Sequence, residues 1–88
     1  MIGVSKMTLS KVQTVDHIEV VENGVVQVRT RTDAVENGVV IGSSLHRHTI
    51  APGSDYSGED ARVQAICAAT HTDDVVAAFR AAAAASGV

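Results

Sequence analysis

The hexapeptide Val21-Glu22-Asn23-Gly24-Val25-Val26 recurs fourteen positions later as Val35-Glu36-Asn37-Gly38-Val39-Val40, and no other feature constrains the fold as strongly. Asn-Gly between β-branched runs is the strongest short-range hairpin signal. Both residues tolerate the positive φ that a tight turn needs if it is to follow the right-handed twist of its strands. Two such turns at this spacing define a three-stranded antiparallel meander, with strands expected over about 12–22, 25–35 and 39–50. Their Val, Ile and Thr content suits a pleated, half-buried surface.

Register is the open point, because Asn-Gly serves two-residue loops and also three-residue loops that begin at the preceding Glu and end in a bulge. A slip of one residue exchanges the faces of a strand. In the first hairpin the bulged form pairs Val20 with Val26 and Ile18 with Val28, all four facing a core, and turns Gln27, Arg29 and Arg31 outward. A two-residue loop sets Val20 against Gln27 and Ile18 against Arg29, so the bulged form is expected. In the second hairpin one option turns Ile41, Leu45 and Thr49 toward the core and the other Val40, His46 and His48. The first is more apolar and is the expectation.

Pro52-Gly53 ends the third strand, since proline cannot donate to a ladder and the pair suits a turn. Ser57, with Asp60 three residues on, resembles an N-cap, and Val63, Ile66 and Cys67 continue behind it as an apolar stripe. A helix over about 59–69 follows. Thr72 before Asp73 and Asp74 marks a second helix start, with carboxylates that complement the helix dipole. Its stripe is Val75, Val76, Phe79, Ala82 and Ala83, and the run Ala81 to Ala85 either lies close against another helix or frays. The class is therefore α+β: a three-stranded antiparallel β-meander followed by two short C-terminal helices. The chain reads as a single domain, with 1–11 a flexible N-terminal segment, 12–50 the meander and 57–86 the helical part.

With 88 residues there is room for one core, and its apolar residues are mainly Val and Ala, with Tyr56 and Phe79 as the only aromatics. Each buried side chain removes little area from water, and a domain of this size is marginal without added support. A lone Cys67 cannot supply an internal disulfide. Oligomerisation is the expected remedy, with Val76, Phe79 and Ala83 as core or interface residues.

The net charge of −3 provides no bulk attraction to nucleic acid or an anionic membrane. No apolar stretch is long enough to span a bilayer, and Met1 to Leu9 lacks the apolar centre and cleavage site of a signal peptide. A soluble chain, not exported by that route, is expected. A single cysteine suits a reducing interior.

Three constellations could carry chemistry. His46 and His48, two apart on a strand, project to one face and could share a metal, although two ligands are too few for a zinc site without symmetry copies. The alternative is a solvated or subunit-facing pair. Arg29, Arg31 and Arg47 could form an anion-binding stripe, but the preferred registers put Arg47 on the opposite face. Asp16, Glu19, Glu22, Asp33 and Glu36 share the sheet, so cross-strand ion pairs are the simpler account. With no aromatics on the strands to stack bases, nucleic acid is not an expected partner. Cys67 and His71 have i, i+4 spacing, yet Cys67 falls on the apolar stripe, which predicts a buried, inert thiol. Neither a catalytic residue nor a cofactor is predicted.

The double Glu-Asn-Gly-Val hairpin, the string Ser44-Leu45-His46-Arg47-His48-Thr49-Ile50-Ala51-Pro52-Gly53-Ser54-Asp55-Tyr56-Ser57, and then Val63-Gln64-Ala65-Ile66-Cys67-Ala68-Ala69 together resemble small uncharacterised proteins of tailed phages and prophages, encoded near tail or other structural genes. The likeness runs from about Val12 to Phe79. It implies a non-enzymatic structural or assembly protein acting as a homo-oligomer, with sister chains and other phage structural proteins as partners, in the host cytoplasm or the particle. The competing expectation is a small binding module, using His46 and His48 for metal or Arg29, Arg31 and Arg47 for an anion.

Overall fold

The structure is a computed structural model that describes residues 8–86. Strands β1 (Leu9–Val20), β2 (Val26–Glu36) and β3 (Val39–Ile50) form one antiparallel sheet in the order β1-β2-β3, and helices α1 (Ala61–Thr70) and α2 (Asp73–Ser86) follow. This is the α+β meander that the paired Asn-Gly turns predict. β1 starts earlier than expected, so Leu9 to Lys11 are strand. The rest of the expected N-terminal segment, residues 1–7, lies outside the described residues.

The two copies of the hexapeptide adopt different loops. In the first, the Val21 amide donates to the Val25 carbonyl (2.9 Å) and the Gly24 amide to the Val21 carbonyl (2.8 Å), while the Asn23 side chain accepts from the Val25 amide (3.1 Å). Of these loop residues Gly24 has positive φ, at 93°. Glu22-Asn23-Gly24 is thus the three-residue loop with a bulge at glycine that the apolar pairing required. In the second copy both Asn37 (φ 51°) and Gly38 (φ 83°) are left-handed, the signature of a two-residue loop. Context separates them: the Asn37 amide donates to the Thr8 carbonyl (2.9 Å) and its side chain accepts from the Thr8 amide (3.2 Å).

Contacts divide the chain into two compact units. One, here the second-turn unit, holds residues 8–17 and 29–47; the other, the helical unit, holds 18–28 and 48–86.

All buried hydrophobic side chains of the described residues lie in the helical unit: Val26, Val28, Ile50, Val63 and Cys67. Val26 and Val28 are buried as expected and Ile18 is half-buried, but Val20 is 47% exposed, so the cover over Val20 is missing. On β3 the expectation fails. Ile41 and Leu45 are 58% and 47% exposed and Thr49 is exposed, whereas Ile50 is buried and His48 half-buried.

The reason lies within the second-turn unit. A two-residue loop that opposes Glu36 and Val39 puts Ser43 on the face away from Asp33. Instead, the Ser43 hydroxyl donates to Asp33 Oδ1 at 2.6 Å. β3 therefore carries one residue more than β2 before this pair, a β-bulge. Past it, alternation carries His48 and Ile50 on the same face.

Asp60, not Ser57, caps α1, its carboxylate accepting from the Arg62 amide at 3.0 Å. Ser57 belongs to the preceding loop, where its amide donates to Asp55 Oδ1 (2.9 Å). That contact, backbone first, holds the Asp55 carboxyl below the usual carboxylate value. Thr72 caps α2 as predicted, accepting from the Val75 amide at 3.3 Å, with Asp73 and Asp74 in the first turn. Ala81 to Ala85 continue the helix with exposed side chains.

The two turn glycines differ in what surrounds them. A Cβ at Gly24 would lie 2.6 Å from Val75 Cγ1 and 3.1 Å from Pro52 Cγ, whereas one at Gly38 meets nothing within 4 Å. Gly38→Ala should lower the unfolding free energy by about 1–2 kcal/mol, the cost of a left-handed alanine. Gly24→Ala adds overpacking of about 1–3 kcal/mol to the same strain. Urea denaturation of the two variants checks the order, and equal losses would contradict a tightly docked first turn.

Candidate functional site

Each sequence-predicted site residue has a defined place. In the second-turn unit Arg29 grips Asp16 with two parallel contacts, Nε to Oδ1 at 2.8 Å and Nη2 to Oδ2 at 3.2 Å. Arg31 reaches Asp16 Oδ2 through Nη1 (3.5 Å) and Asp33 Oδ2 through Nε (3.2 Å). Asp33 also accepts from Ser43. The hydrogen bond from Arg29, aided by the charges of Arg29 and Arg31, holds the Asp16 carboxyl below its ordinary value against an opposing effect of desolvation. Asp33 is lowered chiefly by the Ser43 hydroxyl and then by Arg31. Fork-to-carboxylate geometry of this kind is the strong form of an ion pair.

Two of the three candidate arginines are therefore committed to carboxylates, and the cluster of Arg29, Arg31, Asp16 and Asp33 is neutral. Arg47 follows Ser43 by four residues, which places it on the face of Asp33 and not on the opposite face as expected; the bulge in β3 is the cause. It is exposed and makes no ion pair among the described residues. One unneutralised guanidinium does not make a phosphate stripe.

The histidines separate as well. In the helical unit His48 Nε2 lies 2.8 Å from Glu59 Oε1, the two side chains 34% and 24% exposed. Glu59 is held in place by Gln64, whose amide donates to the Glu59 carbonyl (2.7 Å) and the Ser57 carbonyl (3.2 Å). His46 is exposed and belongs to the second-turn unit. Among the described residues no group of three or more His, Cys, Asp or Glu could hold a metal ion.

Cys67 is fully buried and free. Burial, and then the charge of Glu59, pushes its thiol up, so it stays protonated at neutral pH. His71 does not activate it: the ring Nε2 sits 2.7 Å from the Gly24 carbonyl, which can only accept. The Cys67 and His71 spacing is the spacing of a helix end, where the His71 amide closes on the Cys67 carbonyl (2.7 Å).

The helical unit has an open groove of about 550 Å³ between the first turn and α2, lined by Val20, Glu22, Gly24, Thr70, Val75, Phe79 and Ala83 among others. Phe79 is half-buried and Ala83 exposed; Val76, half-buried, packs with Arg80 at Gly53.

Sequence reasoning turned Ile41 and Leu45 toward a core and did not single out Leu9 or Val12, yet the second-turn unit exposes them all, with Val39 and Val40: Leu9 66%, Val12 47%, Val39 63%, Val40 55%, Ile41 58% and Leu45 47%. The signal was present in the charge-free run Val39 to Leu45. Compared with protein-family models, curated proteins and solved structures, the chain matches none. Among the described residues no helix is long and apolar enough to cross a membrane.

The ion network fixes a pH dependence. Asp16 and Asp33 have folded-state values depressed below the unfolded ones, so their contribution is complete above about pH 4 and is lost as pH falls through the folded values. Thermal midpoints of the wild type should drop below about pH 4, and Asp16→Asn should lower the neutral-pH midpoint while flattening that drop. An unchanged acid slope in the variant would remove Asp16 from this role.

Proposed function

We propose that this chain is a non-enzymatic structural or assembly subunit of the phage type, working as a homo-oligomer. The observation that carries the reading is the aliphatic surface of the second-turn unit. Of its residues 8–17 and 29–47 none is buried, and six large aliphatic side chains are 47–66% exposed. Exposed apolar side chains that adjoin one another mark interaction sites in soluble proteins, and Val39, Val40 and Ile41 follow one another along β3.

Two further lines support it. Among the described residues the buried hydrophobic core consists of three valines, one isoleucine and one cysteine. Side chains of this size contribute about 1.5–3 kcal/mol each when fully buried, so subunit contacts have stability to add. The second is the resemblance of the Ser44 to Ser57 string to phage and prophage proteins of structural gene neighbourhoods. Sister chains are the primary partners in this reading, other phage structural proteins the secondary ones, and the host cytoplasm or the particle is the setting.

Light scattering on purified protein, diluted from the high to the low micromolar range with and without chelator, tests the reading. The expected result is a mass several times the 9.1 kDa of one chain, indifferent to chelator. A single-chain mass throughout would overturn it, and a chelator-dissociated multimer would transfer the function to metal-bridged histidines.

A further inference from the structure

The two copies of Glu-Asn-Gly-Val share one latent reaction. Asparagine is a thermolabile residue, and before a glycine it can close on itself, because no Cβ obstructs the approach of the glycine nitrogen to the side-chain Cγ. The bond that forms is N–Cγ and the bond that breaks is Cγ–Nδ2; the glycine N–H proton leaves with the side-chain nitrogen as ammonia. Water then opens the resulting five-membered imide. Entry at Cγ gives aspartate. Entry at the main-chain carbonyl gives isoaspartate, in which the backbone runs through the side chain and is one methylene longer. No oxidant, reductant or cofactor enters, and because the two hexapeptides are identical, only the fold can make the sites differ.

The fold separates them at each requirement of this chemistry. Attack needs the glycine nitrogen released from its proton. The Gly24 amide is engaged, donating to the Val21 carbonyl at 2.8 Å, whereas the Gly38 amide donates to no group among the described residues. Ring closure also needs room. Gly24 is buried, and one added carbon there would lie 2.6 Å from Val75 Cγ1 and 3.1 Å from Pro52 Cγ; at the exposed Gly38 the same carbon meets nothing within 4 Å. Hydrolysis of the imide needs water, which reaches the second turn and is kept from the buried glycine of the first. The oxygen of the attacked group gathers negative charge, which a hydrogen-bond donor stabilises. Both side chains have one, the Val25 amide for Asn23 (3.1 Å) and the Thr8 amide for Asn37 (3.2 Å), so it is the nucleophile and the space around it that distinguish the sites.

We infer that Asn37 is a self-modification site of this chain: the second turn converts with water to isoaspartate and aspartate, while the docking of the first turn protects Asn23. The two products act differently on the turn. Aspartate keeps an oxygen for the Thr8 amide and adds a negative charge next to Glu36. Isoaspartate inserts a methylene into a two-residue loop whose Asn37 and Gly38 are both left-handed, so the loop no longer joins β2 to β3 at its original length. Conversion thus loosens the second turn with time and spares the first.

The test incubates the purified full chain in mildly alkaline buffer, folded and in guanidinium chloride. Both sites are followed by peptide mapping with mass spectrometry, and isoaspartate by an isoaspartate-specific methyltransferase assay. In denaturant the identical hexapeptides should convert at equal rates. In the folded chain Asn37 should convert faster than Asn23 by on the order of tenfold or more, since the hydrogen bond and the packing at Gly24 both oppose attack. Asn37→Gly, which tolerates the left-handed turn and has no Cγ, should remove the isoaspartate formed by the folded chain. Equal rates in the folded chain, faster conversion at Asn23, or no conversion at either site while the denatured sample converts would overturn the assignment. A rate ratio as large in denaturant as in the folded chain would overturn it too, by removing the fold as its cause.

Discussion

The docking of the first turn is the contact on which the rest of the helical unit depends. Gly24 is buried, with Val75 and Pro52 so close that no Cβ fits, and its carbonyl accepts from His71. That one residue ties the β1–β2 turn to the chain just after β3 and to the corner between the helices. Because a carbonyl only accepts, His71 Nε2 donates, and Nδ1 is buried without a hydrogen-bond partner among the described residues. An unsatisfied buried polar atom costs about 1–3 kcal/mol. Leaving it so is intelligible if the reach of the ring from the helix corner to the turn matters more, and the edge of Tyr56 against that ring (centroids 6.2 Å apart) closes the site.

This constraint also explains why identical hexapeptides diverge. Turn chemistry permits both loop lengths, and local sequence cannot choose. The first copy pairs apolar with apolar only through the bulged form, and its glycine is taken up by α2 and Pro52. The second is bracketed by Thr8, and both Asn37 and Gly38 turn left-handed. The meander, both helices and the Thr72 cap were legible because each rests on local rules of turn residues and periodicity. The Ser57 cap was misread because Asp60 lies three residues on and serves the same chemistry nearer the helix.

Part of what the chain concealed was one extra residue of strand in β3. The bulge in β3 leaves no signature in composition, since Val40, Ile41 and Gly42 suit either count. Its effect nevertheless reaches the later residues of the strand within the second-turn unit, with Arg47 on the face of Asp33. The candidate metal pair and the candidate arginine stripe were both read from a regular strand. Once the register changes, one histidine meets a carboxylate, and the two central arginines are found already neutralised by Asp16 and Asp33.

The two kinds of surface in the second-turn unit then have separate roles. Four charged groups there are spent on one another: the network of Arg29, Arg31, Asp16 and Asp33 with Ser43 joins all three strands where this part of the sheet lacks a buried core. Exposed pairs of this type are individually weak, so the unit is held by their connection and by backbone ladders more than by burial. A sheet stabilised in that way keeps its aliphatic residues available. A buried core would have consumed Val39, Val40, Ile41 and Leu45; an ion network leaves them on the surface.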